Sequence, residues 1–529
     1  MSRKQLRTSL EKVNQSDLQT LQGPEPLMEP RTSLVQLLLD PDSSAPAVIV
    51  PEPAVTVSYK SLAEQVATLS AQFSGAGLKA GEAVALVLPN GLEFVVLFLA
   101  LTRARFAATP INPANKTAET RFLLVASQAR VVIAESPSSP AAEAAAALGL
   151  PMWLPRLEPP GIVNIPQLAA SSRRSPDTPQ RDDVALLMYT SGTTGQPKAV
   201  PLTHRNVLSS ATNIASHYAL RPSDRSLVVM PLFHGHGLIG AALSTLSAGG
   251  VLIIPPRFSA GAFWPLFREH RATWYTAVPT IHQVLLARAD SDEAPASGAR
   301  FIRSCSSALA PAVLAGLEKR FGAPVLEAYG MTETAHQVAS NPLPPRPHKP
   351  GTVGFATGFE IATIDETGKV LRPGVSGEVV VRGPGVMAGY RDSPQANAAA
   401  FVHGWFRTGD VGVLDQEGYL SLTGRIKEMI NRGGEKISPL EIETVLLAHP
   451  AVAEAAAFGV PDAKYGEQVW AAVVLKGAAD ADQLKDFCRE RVADFKVPKT
   501  ICITSTLPKN ATGKLERREL AARLAFASK

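Results

Sequence analysis

The sequence predicts an α/β fold: a large multi-layer N-terminal domain followed by a small α+β C-terminal domain. Three observations predict it. Apolar strand-like runs alternate with helical patterns through most of the chain, the pattern of layered α/β architecture. At 529 residues the chain is too long for one compact core. Near residue 425 the pattern changes to polar, glycine-containing runs, Gly424-Arg-Ile-Lys-Glu and then Asn431-Arg-Gly-Gly-Glu-Lys.

The elements follow in order. Residues 61–73 have helical periodicity, 83–88 read as a strand, and 92–102 as an apolar helix. Residues 149–182 are rich in Pro, Ser and Arg and predict a surface connection. Further strands are expected at 226–230, 251–254, 274–278, 301–304, 325–328 and 378–381. Beyond the change of pattern, 439–448 reads as a helix with Ser438 as its N-cap, and 481–492 as another. The remaining segment of about 100 residues is long enough for an independent domain. Residues 1–30 are polar, lack an apolar signal core and read as a flexible extension.

Composition excludes several classes. An apolar content of 45% and a charged content of 19% fit a soluble globular protein. The net charge of +5 is small and scattered, which argues against nucleic-acid binding. No apolar run approaches the length of about 18 residues that a membrane span needs. Cys305, Cys488 and Cys502 form no Cys-x-x-Cys pair, so neither zinc nor a redox motif is expected. Sparse cysteines suit a reducing compartment. A cytoplasmic location is expected, with the peroxisome as the alternative, since the terminal Ala-Ser-Lys is one leucine short of that address.

Chemistry concentrates in a few runs. Tyr189-Thr-Ser-Gly-Thr-Thr-Gly-Gln-Pro-Lys198 follows an apolar strand. Its glycines let backbone N–H groups approach phosphate oxygens, its hydroxyls add donors, and Lys198 adds a mobile positive charge. It reads as a polyphosphate loop without Walker A spacing. Tyr329-Gly-Met-Thr-Glu-Thr follows the strand at 325–328 and puts polar groups at a sheet's carboxyl edge, where α/β proteins bind ligands. Trp405-Phe-Arg-Thr-Gly-Asp410 and Pro508-Lys-Asn-Ala-Thr-Gly-Lys514 complete the set.

The run from Thr190 to Lys198 resembles the phosphate loop of the adenylate-forming superfamily of acyl-CoA synthetases, adenylation domains and beetle luciferases, with Ala199 where glycine is usual. The resemblance implies an adenylating N-terminal domain at 31–426 and a mobile C-terminal domain at 427–529, hinged at Lys427. It implies an ATP site of Thr190, Ser191, Gly192, Thr193, Thr194, Gly195 and Lys198 with Tyr329, Gly330 and Thr332. Glu333 would hold Mg²⁺, which needs few protein carboxylates because phosphate and water fill its shell. Asp410 would accept the ribose hydroxyls, and Arg425 would hold the ribose or phosphates from the other side. Lys514 would be the catalytic lysine, its ammonium offsetting repulsion between the attacking carboxylate and the α-phosphate. Gly433, Gly434 and Lys436 would line the CoA tunnel.

The acid pocket is less standard. Pro231-Leu-Phe-His-Gly-His-Gly237, Arg303-Ser-Cys-Ser-Ser and Thr334-Ala-His336 make it polar, whereas a fatty or aromatic acid calls for an apolar lining. Phe263-Trp, Trp274-Tyr-Thr-Ala-Val-Pro-Thr-Ile-His-Gln, Phe301-Ile-Arg-Ser-Cys-Ser, Asn341-Pro-Leu-Pro and Asn431-Arg-Gly-Gly-Glu-Lys-Ile-Ser-Pro resemble the oxalate–CoA ligases, over about residues 50 to 526. That resemblance implies oxalate, ATP and CoA as substrates, with His234, His236, Ser306 and His336 at the acid and His234 among the catalytic groups. The alternative is a ligase for another small, fatty or aromatic acid. A domain loading a carrier protein is not expected, since no carrier module follows Lys529, and a monomer or weak oligomer is. A catalytically dead nucleotide-binding regulator would lack Lys198, Glu333, Asp410, Arg425 or Lys514, all of which are present.

Overall fold

The computed structural model describes residues 33–38, 40–169, 173–190, 197–288, 298–509 and 515–527. Four main sheets organise them. In the largest, six strands run parallel, in the order Pro46–Val50, Val251–Ile253, Arg225–Leu227, Trp274–Ala277, Phe301–Ser304 and Val325–Tyr329. Short antiparallel strands flank them on both sides. A second sheet of six strands is parallel except for the hairpin of Val184–Thr190 with Lys198–Thr203. The third, antiparallel, includes Gly377–Arg382, Trp405–Leu414 and Leu420–Arg425.

Helices Tyr59–Gly75, Leu92–Arg103 and His204–His217 contribute to one core shared with both parallel sheets. Leu92–Arg103 is buried at Leu92 and from Phe94 through Thr102, as a helix apolar on nearly every face must be. Beyond Arg425, Ile430–Arg432, Glu435–Ile437, Val452–Asp462, Gly466–Leu475 and Thr500–Ile503 form the fourth sheet, whose apolar clusters draw only on residues 430 and above. Lys427 is exposed in the single turn Ile426–Glu428 that joins the third sheet to the fourth.

Several details differ from the sequence expectations, among them the helix expected at 481–492, which ends at Arg489. The connection at 149–182 carries strands of its own, including the hairpin of Arg156–Glu158 with Ile162–Asn164. The strand expected at 226–230 stops at Leu227. Ser438 sits at the N-cap of Pro439–Leu447 without capping it; its hydroxyl donates to the carbonyl of Thr423, tying the start of that helix to the preceding sheet. Among the described residues, no helix is long and apolar enough to cross a membrane.

Candidate active site

Parallel strands deliver their side chains and following loops to one edge, and the segment after Val325–Tyr329 uses this twice. At Gly330 a Cβ would stand 1.5 Å from the carbonyl oxygen of His336, so only glycine lets the chain fold back here. Gly330 was expected at the nucleotide; its visible task is this close approach. The fold-back sends Tyr329 and Glu333 toward the third sheet and its loops, and His336 toward the centre of the large sheet.

On the first side, Tyr329 donates its hydroxyl to Asp410 Oδ2 at 2.5 Å, and Arg425 Nε donates to Asp410 Oδ1 at 2.7 Å. Asp410 and Arg425 are register partners on neighbouring strands. Arg425 was expected to act from the other side of the nucleotide from Asp410; in the structure it is the ion-pair partner of Asp410. Burial, with Asp410 alongside, pushes the Tyr329 phenol well above its ordinary range, so it stays a donor. Glu333, in the turn Thr332–Thr334, is buried and accepts from the Tyr390 hydroxyl at 2.8 Å. Lys198 Nζ lies 4.7 Å from the centroid of the same Tyr390 ring. Thr332 stands half-buried at the start of that turn.

Thr190 and Lys198 pair across the hairpin. Ser191, Gly192, Thr193, Thr194 and Gly195 lie outside the described residues, as does Lys514. Shortly after Lys514, Arg517 pairs with Glu428 at 3.0 Å, beside the proposed hinge, and with Glu443 at 2.7 Å. No cluster of three or more His, Cys, Asp or Glu among the described residues could enclose a metal. Glu333 alone fits Mg²⁺ that takes its remaining ligands from phosphate and water.

On the second side, a guanidinium sits in the sheet. Arg303 is 0% exposed in the middle of Phe301–Ser304. Its Nε donates to Tyr218 Oη and Gln337 Oε1, its NH1 to Thr276 Oγ1 at 2.9 Å, and its NH2 to Gln337 Oε1 and to His336 Nε2 at 2.9 Å. No carboxylate pairs with it among the described residues. Gly240 leaves the room: a Cβ there would stand 2.4 Å from His336 Nε2 and 3.3 Å from Arg303 NH1.

His236 is fully buried, with Nδ1 3.0 Å from Ser306 Oγ and Nε2 2.6 Å from Thr276 Oγ1. Both ring nitrogens are engaged, so His236 is not the direct acid contact that was expected; it stands behind Ser306. Its ring stacks on His336, with centroids 5.2 Å apart. Burial first, then His336 and Arg303, hold His236 well below the ordinary imidazole range; burial and Arg303 do the same to His336. His234 is half-buried, and its Nδ1 accepts from the backbone N–H of His236. Ser306 and His336 are both non-glycine residues with positive φ, +74° and +94°. Such strain is held where surrounding contacts over-determine it, and it clusters at sites.

The structure thus assembles Tyr329, Glu333, Asp410 and Arg425 on one side and His236, Ser306 and His336 on the other. Gly433 and Gly434, at φ +62° and +94°, form the tight turn of the hairpin Ile430–Arg432 with Glu435–Ile437. With the exposed Lys436 they are not brought to the rest: the hairpin's hydrogen bonds run to Tyr465, Glu467 and Gln468. Sequence reasoning missed Arg303, Thr276 and Tyr390. Arg303 had a signal, the one charge in the strand Phe301–Ser304 of a parallel sheet, where unpaired charge is rare.

A family model described as AMP-binding enzyme matches residues 40–391, and one for the AMP-binding enzyme C-terminal domain matches 441–514. An oxalate–CoA ligase of Arabidopsis thaliana is 48% identical over 461 residues, covering 85% of this chain and 89% of its own. An oxalate–CoA ligase of Saccharomyces cerevisiae is 42% identical over 520 residues, covering 91% and 95%. The crystal structure of ATP-bound MatB from Rhodopseudomonas palustris is 31% identical, with a TM-score of 0.86 over 94% of this chain and 100% of that one. The α/β architecture, the site edge and these matches agree: the chain belongs to the AMP-binding enzyme family.

Proposed function

We propose that this protein joins oxalate to CoA at the expense of ATP, the step that commits oxalate to degradation. A carboxylate oxygen of oxalate attacks the α-phosphorus of ATP, pyrophosphate leaves, and oxalyl-adenylate forms. The CoA sulfur then attacks the acyl carbon, and AMP departs with the electrons of the broken C–O bond. Free CoA, rather than a carrier-bound thiol, is the proposed acceptor. Mg²⁺ supplies charge neutralisation on the phosphates when it binds with ATP.

The protein's part is positioning and electrostatics. Tyr329 and Arg425 hold the Asp410 carboxylate still for the ribose hydroxyls. Tyr390 orients Glu333. Lys514 would approach the α-phosphate from the C-terminal domain and withdraw as that domain turns about Lys427. Water exclusion around the mixed anhydride protects it from hydrolysis.

The observation that carries the acid assignment is the Arg303 guanidinium, buried without a carboxylate under the His236, His336 and Ser306 group. A buried charge without a counter-ion is costly, and a substrate with a second carboxylate supplies one. Identity to two oxalate–CoA ligases over most of the chain supports the same reading. The test is pyrophosphate release with oxalate, malonate, glyoxylate, a cinnamate and a medium-chain fatty acid. Oxalate is expected to give the highest kcat/KM; a higher value for the fatty acid or the cinnamate would refute the assignment.

A further inference from the structure

Guanidinium and imidazole nitrogens differ in one decisive respect. Every guanidinium N–H donates and none accepts, whereas a neutral imidazole has one donor and one acceptor nitrogen. A contact between the two therefore fixes the tautomer of the ring. Arg303 NH2 lies 2.9 Å from His336 Nε2, so that nitrogen accepts and the His336 proton is on Nδ1.

The same logic reaches His236 through one hydroxyl. Arg303 NH1 donates to Thr276 Oγ1 at 2.9 Å. Thr276 is buried in the strand Trp274–Ala277, and among the described residues its hydroxyl proton has one acceptor within reach, His236 Nε2 at 2.6 Å. If His236 Nε2 carried a proton instead, the Thr276 hydroxyl would receive two donors and its own hydrogen would be buried without an acceptor, which folded proteins avoid. His236 Nδ1 is then the protonated nitrogen and donates to Ser306 Oγ at 3.0 Å. The Ser306 O–H is freed from His236 and available to an anion.

We propose that Arg303 and Thr276 are positioning residues that lock His236 and His336 as neutral Nδ1–H tautomers, so that Ser306 faces the substrate's second carboxylate as a hydrogen-bond donor. Arg303 acts from one layer behind the acid, through Thr276 and the two rings. The identity of the anion rests on the oxalate reading; the tautomers do not. With the opposite His236 tautomer, Ser306 would spend its proton on Nδ1 and offer the acid only lone pairs. Loss of one hydrogen bond to a charged group corresponds to about a 10- to 100-fold rise in KM. Burial keeps both rings neutral, in agreement with this assignment.

The experiment uses the full chain with ¹⁵N-labelled histidine, the two rings being assigned from His236→Gln and His336→Gln spectra. Near neutral pH, both rings are expected to carry the proton on Nδ1. Thr276→Val should shift His236 toward Nε2–H and raise KM for oxalate about 10- to 100-fold with KM for ATP unchanged. Thr276→Ser should restore tautomer and KM together. Nε2–H on either ring of the unmodified protein would overturn the proposal. So would a Thr276→Val protein with its His236 tautomer unaltered, or one in which KM rises equally for ATP. Should Thr276→Val not fold, the spectrum of the unmodified protein decides by itself. If both rings carry Nδ1–H while oxalate releases no pyrophosphate, the substrate assignment falls and the tautomer assignment stands.

Discussion

The nucleotide side and the acid side of this site share one short segment, residues 329–336, yet handle charge in opposite ways. On the nucleotide side positive and negative groups come together: Asp410 with Arg425, and Glu333 with Lys198 across the Tyr390 ring. On the acid side Arg303 is buried among neutral partners, Tyr218, Thr276, Gln337 and His336. The first arrangement is complete without substrate and serves as a rigid cradle. The second leaves a positive charge with no carboxylate partner among the described residues. On the proposed reading the difference teaches where specificity is set: balanced charges would hold the constant substrate, ATP, and the unbalanced one would select the acid.

Four substitutions probe the two sides, and the largest loss is expected on the nucleotide side. Lys514→Ala should lower oxalate-dependent pyrophosphate release by about a thousandfold while sparing thioester formation from pre-made oxalyl-adenylate. Equal loss of both half-reactions would remove Lys514 from its proposed role. Asp410→Asn should reduce adenylation about 100-fold and lower stability by about 2 kcal/mol, because Arg425 loses its charge partner; Arg425 is partly exposed, which keeps the cost below that of a fully buried pair. Chemical denaturation and steady-state kinetics read both numbers.

The acid side should respond differently. His336→Ala is expected to raise KM for oxalate about 10- to 100-fold with KM for ATP little changed, since it removes one of the two acceptors of Arg303 NH2 and leaves Gln337 alone. An unchanged KM for oxalate would separate His336 from the acid. Smaller still, Tyr390→Phe should weaken the apparent affinity for Mg²⁺ and ATP about three- to tenfold by releasing Glu333.

The smallest expected effect is none. An ordinary imidazole titrates near pH 6.5. Burial holds His236 and His336 well below that range, so both stay neutral as pH falls through it. The profile of kcat/KM for oxalate should therefore show no ionisation near pH 6.5 that disappears in His236→Gln or His336→Gln. Finding one would mean that these rings are far more hydrated than their burial indicates.

How legible this was in the sequence depended on whether a feature was local. The strand Phe301–Ser304 was read with the same ends, because its apolar run is bounded by turn residues. The helix Leu92–Arg103 was as plain, since nearly every side chain in it is apolar. Asp410 and Glu333 stood out because short motifs carry them. Tyr390 did not, because its partner Glu333 is 57 positions away and no local pattern joins them. Thr276 was hidden for a similar reason: a threonine in a strand looks like ordinary β-propensity until His236 is found beside it. Gly330 was expected at the nucleotide, and the close approach of the His336 carbonyl to it, three-dimensional and not local, was not legible. Arg303 was legible only as one charge in the strand Phe301–Ser304; its burial is set by neighbouring strands, which no local pattern shows.

The claim that an unpaired buried guanidinium selects a second negative charge is tested most directly by comparing oxalate with oxamate, its monoamide, in ATP–pyrophosphate exchange. The two match in size and shape and differ by one charge. The account predicts a kcat/KM for oxalate at least about 100-fold above that for oxamate, the scale of one charge-assisted contact and its lost counter-ion. Equal values for the two acids would contradict it.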